Sequence, residues 1–275
     1  MTAVTLSLKT TLRQRLDVSP LMPDNLVARD PAEIAAIALH YGNRTEPVGH
    51  FFDIRITPDG DGLNFSPGDA RFDYLGRGMA AGSIRVAGDA GAYLGYQMRG
   101  GTISVDGDVG IYCGAEMKSG EVHVRGNAGD FVGGALPGNR KGMAGGCLFI
   151  EGSAGDRVGD HMRRGLIVIE GDAGAYAGSR MIAGTIAIKG RLGPYPGYAM
   201  KRGTLVLAQA PAMLPATFND CGTHTLGFLS LLFRSPVLHG RAFADFARRP
   251  PRVRRYAGDH ASLGKGEILV LLSDP

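Results

Sequence analysis

The stretch that decides the fold is Gly101-Thr-Ile-Ser-Val-Asp-Gly-Asp-Val-Gly-Ile-Tyr-Cys-Gly-Ala-Glu-Met-Lys-Ser119, after which Gly120 begins the same phrase again. The phrase recurs through a run that starts at Gly62 and ends at Gly203. Its starting glycines are separated by steps of 20, 19, 19, 26, 19, 19 and 19 residues. Seven complete repeat units therefore follow one another, and this periodicity is the first guide to the architecture.

Each repeat carries aliphatic residues two and four positions after its starting glycine, and a methionine near position sixteen. The aliphatic pairs from the second repeat onward are Ile84/Val86, Ile103/Val105, Val122/Val124, Leu148/Ile150, Ile167/Ile169 and Ile186/Ile188. An alternating aliphatic pair followed by glycine predicts a short strand and a tight corner, and 19 residues are too few for two helices or a propeller blade. The pattern predicts a parallel β-helix in which equivalent residues of adjacent coils stack. A left-handed hexapeptide helix is the rival, but glycine occupies the position where that helix has aliphatic residues.

Composition restricts the classes of protein. The chain has 275 residues, 44% of them hydrophobic, a formal charge of +4, and 34 of its 43 glycines between Gly62 and Gly203. Three cysteines without a CxxC pair favour a reducing compartment, and Cys113 is expected to be a small buried apolar residue. With no long apolar segment, the sequence predicts a cytoplasmic protein.

The flanks suggest three domains: an N-terminal cap over residues 1–61, the repeat domain over 62–208, and a C-terminal extension with a closing strand over 209–275. In the cap, Asp30-Pro-Ala-Glu is typical of a helix start, and Gly42-Asn43 is expected to end that helix. Residues 3–9 and 51–56 are predicted strands. The segment from Leu226 to Phe233 is apolar but indicates no particular element, and Lys265-Gly-Glu-Ile-Leu-Val-Leu-Leu predicts a final strand that pairs with the array.

Basic residues follow the methionines of several repeats, and stacking would align them along one edge. We call this predicted surface the basic stripe; it comprises Arg99, Lys118, Arg163, Arg164, Lys201 and Arg202, together with Arg140 and Lys141. The last two residues belong to the inserted segment from Gly134 to Gly142, which lengthens one repeat. Insertions in repeat proteins map to loops on one face and often bind partners. A partner with negative charge would relieve the repulsion along the stripe; the alternative is that these cations only solvate a corner.

Motifs for independent catalysis are missing from the sequence. The segment Gly258 to Gly266 fails as a phosphate loop, because five residues separate its glycines and glycine follows the lysine. The seven histidines show no metal-ligand spacing, and there is no Gly-x-Ser-x-Gly elbow. Asp89, Asp108 and Asp172 share position seven, directly after a corner glycine, where turn chemistry is expected rather than acid catalysis. No catalytic residue and no metal site are predicted.

The unit Gly-Asp-Ala-Gly-x-Tyr-x-Gly-x-x-Met, found at Gly88–Met98 and Gly171–Met181, resembles the glycine-rich repeat in one subunit of formylmethanofuran dehydrogenases, the subunit designated C. The C-terminal domain of the large glutamate synthase subunit has a similar repeat. The flanks Leu16-Asp-Val-Ser-Pro, Gly49-His-Phe-Phe-Asp-Ile and Gly264-Lys-Gly-Glu-Ile-Leu-Val also resemble this C-type subunit. The resemblance implies an all-β core with a right-handed parallel β-helix of about seven coils and small α/β caps. The Arg- and Ala-rich composition favours the bacterial formyltransferase/hydrolase branch over the archaeal dehydrogenase.

This resemblance implies a non-catalytic subunit of a C1-transfer complex that moves formyl between tetrahydromethanopterin and a methanofuran- or methylofuran-type carrier and releases formate. Its implied partners are an amidohydrolase-like, a formyltransferase and a molybdopterin-enzyme-like subunit. No covalently bound cofactor is expected, but the basic stripe suits the glutamate-rich tail of the carrier. Two alternatives stay open: an autonomous β-helix enzyme acting on a glycan or acyl donor, and a polyanion-binding module using the run from Arg248 to Arg255.

Overall fold

The order of secondary structure follows the repeats. The structure is a computed structural model that describes residues 3–26, 29–58, 61–235, 243 and 251–272. Its elements are β1 (Ala3–Leu8), β2 (Leu16–Asp17), α1 (Pro23–Leu26), α2 (Pro31–Ala35), β3 (Ala38–Tyr41), β4 (Arg44–Pro47), α3 (Val48–Phe51), β5 (Phe52–Thr57), β6 (Leu63–Phe65), β7 (Phe72–Asp73), β8 (Ser83–Val86), β9 (Arg99–Val105), β10 (Ser119–Val124), β11 (Ala144–Ile150), β12 (Arg164–Ile169), β13 (Thr185–Ile188), β14 (Arg202–Leu207), β15 (Asn219–Thr225), α4 (Gly227–Arg234), β16 (Arg252–Gly258) and β17 (Lys265–Leu271).

One large mixed sheet dominates the molecule, so the prediction of an all-β core is confirmed. Its thirteen strands lie in the order β15-β16-β17-β14-β13-β12-β11-β10-β9-β8-β6-β1-β5. Strands of successive repeats pair in parallel with equivalent residues opposite each other, as Ile84 with Ile103 and Ile103 with Val122. A second column of parallel bridges joins Ala90, Val109, Ala128, Ala154, Ala173 and Leu192. Each repeat therefore contacts the next through two separate sets of backbone pairs.

The core lies where the periodicity predicts it. The residues at positions two and four are almost completely buried, with Ile103 and Ile169 at most 1% exposed. The methionines form a buried column of their own that includes Met98, Met117, Met162 and Met181. Because the repeats supply aliphatic side chains at equivalent positions, the apolar columns are continuous, and each repeat is stabilised by its neighbours. Position 101 requires glycine for two reasons: its φ is +81°, and an added Cβ would stand 2.6 Å from the Gly82 carbonyl oxygen.

The N-terminal segment extends the sheet beyond the first repeat. The strands predicted at residues 3–9 and 51–56 are confirmed as β1 and β5; β1 pairs in parallel with β6 and antiparallel with β5. The helix at Asp30 is also confirmed, with a capping box between Asp30 and Glu33. Its predicted end at Gly42 is wrong: α2 stops at Ala35, and Ala38–Tyr41 forms β3 of a hairpin with β4. Leu39 is buried there, and the φ of +59° at Gly42 turns the hairpin instead of ending a helix.

The C-terminal segment completes the sheet and covers part of its outer side. β17 pairs in parallel with β14, which confirms the predicted final strand, and β16 and β15 follow in antiparallel order. The apolar stretch from Leu226 forms α4, whose Leu229 and Phe233 are buried against a second core on the outer face of β11–β14. That face carries Phe149, Val168, Ala187 and Val206. Residues 248–250 of the predicted basic run lie outside the described residues, and Arg252 begins β16.

Candidate functional site

The basic stripe is created by backbone pairing just after the methionines. The residue after each methionine donates its N–H to the methionine carbonyl of the preceding repeat: Arg163 to Met143 at 2.7 Å, and Lys201 to Met181 at 2.8 Å. Arg99 and Lys118 make the same bonds, to Met79 and Met98 respectively. Because the methionine side chains are buried, these backbone bonds hold the basic residues that follow them at equivalent positions of successive repeats. The 19-residue period therefore brings the basic residues to one edge.

Four residues of the stripe surround one cavity. Arg163, Arg164, Lys201 and Arg202 line a cavity of about 600 Å³ at the edge of the last repeats. Its other lining residues are small or apolar: Ala144, Ile182, Ala183 and Leu263. Four cations over a partly apolar floor form a surface that suits a flexible chain of carboxylates with methylene groups between them.

The charge of this cavity is not compensated by ion pairs with the residues that the structure describes. All eight residues of the stripe are exposed, and in the described part of the chain none of them forms an ion pair. Other arginines are paired, as Arg191 with Asp172 at 2.9 Å and Arg180 with Asp160 at 3.0 Å. Unpaired like charges at close spacing repel one another, so an anionic ligand would be favoured here.

The other four predicted residues lie apart from the cavity. Arg99 and Lys118 belong to earlier repeats of the same column, and the uncharged Ala144 separates Lys118 from Arg163. Arg140 and Lys141 stand on the inserted loop and are not among the described residues that line the cavity. The structure therefore brings half of the predicted set together and leaves the stripe discontinuous.

The inserted loop is held from both sides. Glu116 Oε1 accepts a bond from the Leu136 N–H at 3.3 Å and from the Asn139 side chain at 2.5 Å. On the other side, the Gly142 N–H donates to the His161 carbonyl at 3.0 Å. Burial, followed by the nearby Glu116 carboxylate, raises the pKa of Tyr96, whose ring adjoins the loop. Anchors at both ends leave Arg140 and Lys141 on an exposed turn.

Sequence reasoning missed two residues, one that extends the basic column and one that lines the cavity. β17 places Lys265 directly opposite Arg202, so the basic column continues past the last repeat, and Leu263 lines the cavity. The buried Asp259 holds this turn, because its carboxylate accepts the N–H groups of Ala199 and Ala261, each at 2.9 Å. A signal was present: the phrase Lys265-Gly-Glu-Ile-Leu-Val has the pattern of Arg202-Gly-Thr-Leu-Val-Leu and so extends the repeat.

A polar cluster between the inserted loop and the following repeat also escaped the sequence analysis. The buried Asp160 carboxylate accepts the Ser179 hydroxyl at 2.5 Å, lies 2.8 Å from His161 Nδ1 and pairs with Arg180. The side chains of Ser179 and His161 each bond to the carboxylate, and these two residues are joined only by a backbone bond from the His161 N–H to the Ser179 carbonyl, so the geometry differs from that of a Ser–His–Asp relay. Over residues 3–26, 29–58, 61–235, 243 and 251–272, no three His, Cys, Asp or Glu side chains are grouped to hold a metal ion.

The aspartates at position seven accept backbone N–H groups of the following repeat, 19 residues away, whereas the sequence predicted bonds within their own turns. Asp89 accepts the N–H of Asp108 at 2.8 Å, and Asp108 in turn accepts the N–H of Asn127 at 2.7 Å. Asp172 accepts the same kind of bond from the Arg191 N–H and a further bond from the Arg191 side chain. The backbone bond first, and the side-chain bond second, lower the pKa of Asp172. These carboxylates tie each repeat to the next.

Among the described helices, none is long and apolar enough to cross a membrane.

Comparisons with known proteins agree with this architecture. The family model described as the GXGXG motif matches residues 68–221, which is more than half of the chain. The subunit designated C of a molybdenum-containing formylmethanofuran dehydrogenase from Methanothermobacter thermautotrophicus is 38% identical over 77 residues, covering 28% of this chain and 19% of that protein. The subunit of the same designation in the formyltransferase/hydrolase complex Fhc from Methylorubrum extorquens is 43% identical over 88 residues, covering 32% of each. The matches thus span a fifth to a third of these curated relatives.

A solved structure matches over the whole length. It is a chain from the crystal structure of the formyltransferase/hydrolase complex FhcABCD of Methylorubrum extorquens in complex with methylofuran. The superposition has a TM-score of 0.91 at 41% identity and covers 98% of this chain and 100% of the other. Both the repeats and the flanks are therefore shared, and the chain belongs to the GXGXG motif family and, within it, to the family of C-type subunits of formylmethanofuran dehydrogenases and formyltransferase/hydrolase complexes.

Proposed function

We propose that this chain is the non-catalytic structural subunit of a complex that moves formyl between tetrahydromethanopterin and a methanofuran- or methylofuran-type carrier and releases formate. The observation that carries the proposal is the full-length match, at 41% identity, to a chain of the FhcABCD complex. The partners would be an amidohydrolase-like, a formyltransferase and a molybdopterin-enzyme-like subunit. The bacterial hydrolase branch is the context we favour, and the cytoplasmic location stays a prediction.

For the fold we propose a right-handed parallel β-helix of about seven coils, with small α/β caps at residues 1–61 and 209–275 around the repeat domain 62–208. The parallel pairing of every repeat with the next supports it, as does the second column of bridges at Ala90 and its equivalents. Such a rod offers a long, rigid surface to several partners at once, which suits a platform for other subunits.

The basic stripe is the surface that we propose contacts the carrier. The solved relative holds methylofuran, and a glutamate-rich tail would present carboxylates to Arg163, Arg164, Lys201 and Arg202 in the cavity. Arg99, Lys118, Arg140 and Lys141 would guide the remainder of the tail across the neighbouring surface. Because the cations are exposed, binding should weaken as salt is raised.

Charge reversal tests the carrier site. We expect Arg163→Glu/Arg164→Glu to weaken binding of a fluorescent polyglutamate peptide to the purified chain by at least tenfold at low salt, measured by anisotropy. The matched control is Arg55→Glu/Lys189→Glu, which reverses two exposed cations away from the cavity that form no ion pair with any described residue. Equal binding by the wild type and the cavity variant would refute the site and leave the subunit assignment untouched.

The subunit assignment is tested by gentle affinity purification of the tagged chain from its host, with mass spectrometry of the retained proteins. Amidohydrolase-like and formyltransferase-like chains should be retained, and the purified assembly should release formate from the formylated carrier. Loss of that activity when the gene is deleted, and its return with the reintroduced chain, would complete the result. A chain recovered alone would refute the proposal and revive the alternative of an autonomous enzyme.

A further inference from the structure

An aromatic ladder runs along one side of the repeats. The rings at position eleven, and Tyr74 at position twelve of the longer first repeat, stack face to face, with centroid distances of 4.6 Å for Tyr74–Tyr93, 5.3 Å for Tyr93–Tyr112 and 4.7 Å for Tyr112–Phe131. Arg157 takes the place of one ring, and its guanidinium lies between Phe131 and Tyr176, at 6.0 and 4.7 Å from their centroids. Tyr176 and Tyr195 continue the ladder at 5.0 Å. Every interior member thus has a planar group on both faces.

The ladder ends at Tyr195 because the repeat ends at Gly203. In the part of the chain that the structure describes, Tyr195 stacks with Tyr176 alone, and 55% of its surface is exposed. Tyr198, which meets Tyr176 edge-on at 5.9 Å, is 56% exposed, and Met213 is 75% exposed. The other large apolar side chains of the repeats are buried or half-buried, apart from Ile111 at 43%, while Phe228, Leu231 and Leu263 of the C-terminal extension are exposed elsewhere. Within the repeats, the exposed rings therefore lie at one end of the ladder.

A cavity of about 670 Å³ opens beside this ring. Its described lining consists wholly of apolar residues and glycine, without any charged side chain: Leu192, Gly193, Pro194, Tyr195, Ala212, Met213, Leu214, Pro215 and Ala216. The basic cavity, by contrast, is lined by four cations. The lining therefore favours an uncharged occupant, since a charge buried against these residues would have no charged partner among them.

We propose that this cavity is a docking site for an uncharged segment of another subunit of the complex, which places an aromatic side chain on the free face of Tyr195. The inference rests on the proposed function, because it requires partner subunits. The period of the ladder specifies the aromatic group: the next repeat would place a ring about 5 Å beyond Tyr195. Exposed tyrosine and methionine around an apolar pocket are the residues that interface centres favour, and prolines give the pocket fixed walls.

The test uses the chain co-expressed with the other subunits of its complex. We expect Tyr195→Ser/Met213→Ser to weaken the association of the purified chain with the remaining subunits at least tenfold, measured by interferometry. Tyr195→Phe keeps the ring and should bind like the wild type. Ile111→Ser is the matched control, because it removes an exposed apolar side chain on another part of the repeats. Unchanged circular dichroism and melting temperature would show that every variant is folded.

A photo-crosslinking residue at position 195 distinguishes the sources of the aromatic group. A crosslink to an aromatic-containing peptide of another subunit supports the proposal. A crosslink to a small molecule, wild-type affinity for the Tyr195→Ser/Met213→Ser variant, or equal weakening by Ile111→Ser would overturn it. If the wild-type chain itself binds no other subunit, the proposed function fails and this inference fails with it, an outcome separate from the others.

Discussion

Tyr112 illustrates how one residue can be held in an unfavourable backbone conformation by its neighbours. Its φ is +61°, a region that side chains with a Cβ rarely adopt, and the members of the ladder at Tyr93, Phe131 and Tyr176 share it. Stacking on both faces compensates, since each aromatic pair contributes about 0.5–1.5 kcal/mol. The same position in every repeat therefore combines a tight corner with a ring that only the neighbouring repeats can stabilise.

Alanine is usually tolerated better than glycine, but the positive φ at Tyr112 should reverse that order. We expect Tyr112→Ala to lower the free energy of unfolding by about 3 kcal/mol, because it removes a buried ring and keeps the strained φ. Tyr112→Gly should be the more stable of the two by about 0.5 kcal/mol, because glycine adopts positive φ freely. Urea unfolding would measure both, with Tyr112→Phe as the control. A less stable glycine variant would contradict the strain argument.

The cysteines differ in reactivity for a reason that burial supplies. Burial raises the pKa of Cys113 to about 12, whereas Cys221 is exposed on β15. At pH 8 the thiolate of Cys113 is therefore a negligible fraction, and its sulfur is also out of contact with solvent. Iodoacetamide at pH 8 should alkylate Cys221 within minutes and spare Cys113 until the protein is unfolded, as read by peptide mass spectrometry. Rapid native labelling of Cys113 would show that the repeat opens locally.

At the scale of the element, position three of each repeat decides what covers the outer face of the sheet. Ser104 and His123 occupy it in early strands, whereas Phe149, Val168 and Val206 occupy it later and are buried beneath α4 and its neighbours. We expect Val168→Asp to destabilise the protein by about 3 kcal/mol and to expose α4 to proteases, because it places an unpaired charge in this second core. Ser104→Asp is the matched control. Equal protection of α4 in both variants would contradict this assignment.

Much of the repeat domain could be predicted from sequence, because a pattern that recurs in seven units is more reliable than the pattern of any single segment. The strands, the buried pairs such as Ile103/Val105 and the final strand β17 follow from a pattern that seven units confirm. A unique segment has no such support: the helix expected to reach Gly42 ended at Ala35, because pairing of β3 with β2 and β4 outweighed local propensity. Likewise, the period aligned Arg163 with Lys201, but only the tertiary course of residues 259–265 could add Leu263.

At the scale of the whole molecule, the proposed boundary at residue 208 separates segments that share one sheet and one core. β14 pairs with β17, which places Leu269 beside Val206 on the outer face of the sheet, and Leu229 and Phe233 of α4 pack on that face. Removing the extension would expose both an unpaired strand edge and an apolar face, which together favour edge-to-edge association.

We therefore expect the fragment 1–208 to form soluble aggregates or inclusion bodies, and any monomeric fraction to melt well below the full chain. Light scattering after size-exclusion chromatography would measure the first, and differential scanning fluorimetry the second. Deletion of residues 273–275 alone is the control, since it leaves β17 intact. A monomeric 1–208 with the melting temperature of the full chain would mean that the repeats cap themselves. The extension would then serve partner binding, because the stability of the array would not depend on it.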